Sequence, residues 1–72
     1  MLDLQKRWSG VTPSACDICK CKLETAGSFI DGATRQGQWA IMCPSCHSLY
    51  GYGLGTGRGQ QYSHRTGMKI DG

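Results

Sequence analysis

Two Cys-x-x-Cys pairs, a hairpin-like stretch between them and a length of only 72 residues predict a small metal-stabilised β domain. A chain this short buries too little apolar surface to fold on a hydrophobic core alone, so it needs a staple. Only 39% of its residues are hydrophobic, and its five cysteines are the obvious means of stapling.

The cysteine pairs are CDIC at 16–19 and CPSC at 43–46, with 23 residues between the inner two. In each pair a tight turn aims two thiolates at a common point. Two such turns brought together supply the closed tetrahedral shell of a structural zinc site, at about 2.3 Å per bond. The predicted ligands are therefore Cys16, Cys19, Cys43 and Cys46, holding one structural Zn²⁺; the same four sulfurs also suit iron. Three other readings fit less well. Two disulfides would need an oxidising compartment, and an odd cysteine count argues against a secreted scaffold. Haem attachment at CPSCH (43–47) would need export and would leave the first pair unexplained. A thioredoxin-like redox pair would need a βαβ unit, for which the chain has no room. Cys21 follows Cys19 after a single spacer, which would pinch a chelating turn, so it reads as a free thiol beside the site. His47 and His64 fall outside a shell that is already full. A closed shell leaves no open metal position and no nucleophile has an attached base, so the expectation is a protein that is not an enzyme.

SFIDGAT (28–34) and QWAIMC (38–43) are rich in β-compatible residues, and RQG (35–37) fits the turn of a central β-hairpin with Gly37 left-handed. In the second strand a period of two puts Trp39, Ile41 and Cys43 on one face, expected to be the buried one, with Phe29 and Leu23 as packing partners. LDLQKRW (2–8) alternates as a further, N-terminal strand, SGVTPSA (9–15) is a loop, and Trp8 and Val11 are expected in the core.

After the second cysteine pair, GYGLGTGRG (51–59) has glycine at every second position. Even spacing excludes the G-x-G-x-x-G dinucleotide fingerprint, and the nearest approach to a phosphate loop, GATRQG (32–37), lacks the following GK[ST]. Alternation permits a Gly-rich extended C-terminal segment, a strand with one bare face and with Tyr50, Tyr52, Leu54, Thr56, Arg58, Gln60 and Tyr62 on the other. The single domain then spans 1–62. Residues 63–72 read as a flexible C-terminal tail unless MKI adds an edge strand.

Over residues 11–50 this arrangement resembles the zinc ribbon family, and CPSC looks like the second knuckle of ribbons and rubredoxins. The resemblance implies two matching knuckles around the ion. Lys20 and His47 stand where those families place glycine, at the left-handed exit of each knuckle, and histidine is the easier fit there. The wider pattern, KRWSGVTPSACDIC through DGATRQGQWAIMCPSC to GLGTGRGQQY, is similar to small zinc-ribbon proteins of bacteriophages and prophages without an assigned function. That likeness implies a viral protein acting in the cytoplasm of a bacterial host.

Cysteine usage and the absence of an apolar N-terminal run agree with a reducing cytoplasmic setting. No stretch approaches the roughly 18 apolar residues that span a bilayer, so no membrane partner is expected. A small-molecule substrate is not expected either. Net charge is +3, a mild bias towards anionic partners. Arg35 at the hairpin tip, with Tyr52 and Arg58 in the glycine segment, are the candidate contacts to DNA or RNA, because aromatics stack on bases and arginines meet phosphates. Ribbons that assist RNA cleavage by polymerases carry an acidic pair at this tip, which Arg35-Gln36-Gly37 does not provide. The alternative is a protein-interaction factor docking on host transcription, replication or defence machinery, to which a Tyr- and Leu-bearing segment is also suited.

Overall fold

The computed structural model describes residues 7, 8 and 10–72. The chain forms α1 (Leu23–Ala26), β1 (Ser28–Ala33), β2 (Trp39–Met42), α2 (Pro44–Tyr50), β3 (Gly59–Ser63) and β4 (Lys69–Asp71). Its strands make one antiparallel sheet in the order β2-β1-β3-β4. The predicted hairpin is its centre. β1 pairs with β2 from Ile30↔Met42 to Ala33↔Trp39, and the turn closes through Gly37 N–H to Thr34 O at 2.9 Å. Gly37 takes φ 95°, the left-handed region that glycine enters without a Cβ penalty.

β1 pairs on its other side with β3, from Ser28↔Ser63 to Gly32↔Gly59. The two strands come so close at Gly32 that an added Cβ would lie 2.9 Å from the carbonyl oxygen of Arg58, which a backbone atom cannot vacate. Three steps of the register away from the glycines, large side chains take over. Phe29 stands opposite Tyr62, and their rings stack with centroids 5.5 Å apart. Trp8 meets both edge-on, at 5.1 and 5.3 Å, as ring quadrupoles favour. Leu23, Met42 and the cysteines Cys16, Cys43 and Cys46 complete this core, so the sulfur cluster forms one wall of the hydrophobic interior.

Several expectations need correction. Val11 is 93% exposed; its contribution is its carbonyl, which accepts the Trp8 indole N–H at 3.1 Å. Trp8 itself does pack on the core. Leu2 to Lys6 of the expected N-terminal strand lie outside the described residues, while Arg7 makes a bridge to Met68. Trp39 is 49% exposed, whereas Met42, on the opposite parity of β2, is fully buried. β2 is an outer strand of the sheet, and at its turn end the side predicted to be buried has little beneath it.

The glycine segment is not an extended strand. Gly53, Gly55 and Gly57 all take positive φ, at 88°, 125° and 80°, so the alternation marks repeated left-handed residues. The chain folds into a closed turn in which Gly55 N–H donates to Gly59 O at 2.8 Å and Arg58 N–H to Gly55 O at 3.0 Å. Only Gly59 belongs to a strand, the start of β3. Beyond it, Lys69–Asp71 adds the edge strand β4 through Gln61↔Asp71 and Tyr62↔Lys69, so residues 63–72 contribute to the sheet.

Candidate metal centre and an exposed aromatic face

The first cysteine pair sits in a hairpin-like knuckle. Ala15 and Lys22 bridge at its base, Cys16 N–H donates to Cys21 O at 3.0 Å, and Lys20 N–H returns to Cys16 O at 3.0 Å. Closing this ring forces Lys20 to φ 67°, the left-handed exit expected of a knuckle, although lysine carries a Cβ. The second pair is built differently. Cys43 is the N-cap of α2, Pro44 occupies its first turn, and Cys46 lies one turn on from Cys43, so helical periodicity places the two sulfurs together. His47 is therefore helical, not left-handed. One knuckle and one helix start surround the site, where a ribbon would have two knuckles.

These elements bring the four predicted sulfurs within 4.8 Å of one another, and Cys19 Sγ lies 3.7 Å from Cys43 Sγ. A tetrahedral four-sulfur shell with bonds of about 2.3 Å has sulfur–sulfur edges of about 3.8 Å. Donor type, number and spacing thus fit a structural metal ion. Cys16, Cys43 and Cys46 are buried and Cys19 is exposed, so the site has a single solvent-facing side. The backbone N–H groups of Ile18 and Cys19 point at Cys16 Sγ, at 3.4 and 3.5 Å. Burial disfavours the Cys16 thiolate, yet hydrogen bonds from the backbone of Cys19, Cys43 and Ile18 outweigh it and bring its pKa down to about 6. Burial together with hydrogen bonds to the other thiols pushes Cys46 the opposite way. A cation resolves this contrast, since it favours the thiolate at all four positions.

Cys21 stands where a free thiol beside the site was expected. Its backbone N–H and side chain both serve Cys19, whose pKa they lower. In return, the hydrogen bond to Cys19, then burial and Cys43, push the Cys21 thiol up to about 12. Cys21 thus stands beside Cys19 and Cys43 but outside the four-sulfur set.

A second feature lies where the hairpin tip meets the end of α2. Thr34 bridges to Gly51, and Arg35 N–H donates to Tyr50 O at 2.9 Å. Two grooves open there with Arg35 on the border of both. One, of about 590 Å³, is lined by Arg35, His47 and Tyr52 among others; His47 Nε2 and Gly53 O lie 2.8 Å apart beneath it. The other, of about 480 Å³, runs past Ile18, Trp39 and Tyr50. Arg35 and Tyr52, two of the three predicted contacts, are therefore brought together. Arg58 lines neither groove and stands in the turn at 55–59. The sequence reading missed Trp39 as a surface residue and Tyr50 as a helical one. Tyr50 carried no sequence signal of its place, because the backbone contact that sets it against the hairpin tip is a tertiary event.

No known protein family, curated protein or solved structure matches this chain. The likeness to zinc ribbons therefore rests on the four-cysteine cluster. Among the described residues, no helix is long and apolar enough to cross a membrane.

Proposed function

We propose that this protein is a non-catalytic nucleic-acid-binding module whose fold is held by one structural zinc ion, acting in a reducing cytoplasm where its thiolates stay available to the metal. The observation that supports this most is the grouping of Trp39, Tyr50 and Tyr52, each about half exposed, around Arg35. Aromatic faces offer stacking to bases, and a guanidinium beside them offers charge to phosphate. The net charge of +3 adds a weak long-range attraction to the same ligand. No catalytic step is assigned, because four sulfurs complete the metal's shell and leave it no open position.

The test is a titration of labelled oligonucleotide with zinc-loaded protein at increasing salt. Affinity should fall linearly on logarithmic axes, and Arg35→Ala should reduce the slope by about one. Arg58→Ala should reduce it less, since Arg58 stands apart from the grooves. Undetectable binding at low salt would sink the proposal. A second reading, docking on a host protein, is favoured by the 64% exposure of Leu49 beside Tyr50 on α2. It predicts one stoichiometric protein partner that survives nuclease treatment and is lost in Leu49→Ala.

A further inference from the structure

We infer that the ligand of this face is a single strand, with two consecutive nucleotides straddling Arg35. One base lies against Trp39 and Tyr50, the next against Tyr52, and the phosphate between them meets the guanidinium. The inference rests on the nucleic-acid reading above and narrows it to one class of ligand.

Three observations carry it. Both grooves share Arg35 at their border, so a chain running from one to the other passes this residue, while the one carboxylate in either lining, Asp17, lies in the second groove. The hydrogen bond from Arg35 N–H to Tyr50 O and the Thr34–Gly51 bridge lock the hairpin tip to the end of α2, so the two grooves form one unit. Such preorganisation avoids the entropy of assembling the site around its ligand. Finally, the aromatic side chains are half exposed, with one part seated and the other presented to solvent. Bases in a duplex are stacked on each other and offer no free face to such rings, whereas unpaired bases do. Duplex readout by the helix is disfavoured for a separate reason. α2 reads PSCHSLY, without lysine or arginine, and its first turn is committed to the sulfur cluster.

The experiment compares fluorescently labelled single-stranded DNA and RNA of mixed sequence with a hairpin duplex of the same composition, all against the zinc-loaded full chain at one salt concentration. The single strands should bind at least tenfold more tightly than the duplex. Trp39→Ala and Tyr52→Ala should each weaken single-strand binding by roughly 5- to 150-fold, the loss of one stacked base. Tyr52→Phe should retain most of the affinity. Metal content equal to that of the parent chain shows that each variant is folded. Equal or tighter duplex binding overturns the single-strand inference while leaving nucleic-acid binding intact. Single-strand binding unchanged in both alanine variants also overturns it. If neither single strand nor duplex binds, the inference and the reading beneath it fall together.

Discussion

Stripping the metal with a chelator is expected to unfold this chain, with loss of the sheet signal and collapse of NMR dispersion. A four-thiolate zinc site contributes apparent free energy of about 10–16 kcal/mol near neutral pH, whereas the net stability of a domain is about 5–15 kcal/mol. The geometry shows why so little remains without it. Cys16 and Cys19 belong to the knuckle and Cys43 and Cys46 to the start of α2, so an ion held by all four would tie these elements together. Cys43→Ser should reproduce the effect. Residue 43 stands at the N-cap of α2, a position that serine suits, so the substitution removes the sulfur without disfavouring the helix start. Cys21→Ser, by contrast, should retain one metal ion per chain by elemental analysis. A fully folded chain at zero metal content would overturn the assignment of the four ligands.

Phe29→Ala should cost the metal-loaded protein about 3–5 kcal/mol, the largest effect expected at any position that is not a ligand. Phe29 is completely buried on the central strand and touches three aromatic neighbours, with Trp8 at 5.1 Å, Tyr62 at 5.5 Å and His64 at 6.5 Å between centroids. Tyr62, paired opposite it in the sheet, cannot collapse into the space without leaving its register. A domain of this size loses about 4–8 °C of Tm per kcal/mol, so the expected fall exceeds 10 °C while metal stoichiometry is unchanged. A shift of less than about 4 °C would show that the aromatic cluster is dispensable.

The parts legible in the sequence were those fixed by local chemistry. Ligand spacing marks Cys16, Cys19, Cys43 and Cys46 because chelation by a turn permits few separations. The hairpin is legible because Gly37 and its flanking β-formers satisfy one turn. α2 was not, since seven residues are too few to show a helical period and CPSC suits a knuckle as well as a helix start. Pro44, placed just inside that helix, was the one sign available. The glycines misled for a different reason. Even spacing is what an extended bare face and a run of left-handed turns have in common, so it does not choose between them; in the fold the His47 ring meets Gly53 O, a contact the spacing does not announce. Trp39 depended on which side of the sheet is covered near the turn, and nothing local specifies that.

The knuckle does more than hold two sulfurs. Asp17 N–H donates to Ile41 O at 2.8 Å, and Asp17 Oδ2 accepts Ile41 N–H at 2.9 Å, so this residue occupies the outer hydrogen-bonding groups at the middle of β2. An uncovered edge is a template for pairing with another molecule. Because Asp17 lies between Cys16 and Cys19, a bound ion that fixes the knuckle would also fix its grip on Ile41. Metal loss thus releases a sticky edge at the moment the fold weakens, and chelation should produce light scattering that grows with protein concentration. Clear solutions at every concentration would show that the edge is guarded by something else. Where such a metal is scarce, self-association through this edge is therefore the expected failure.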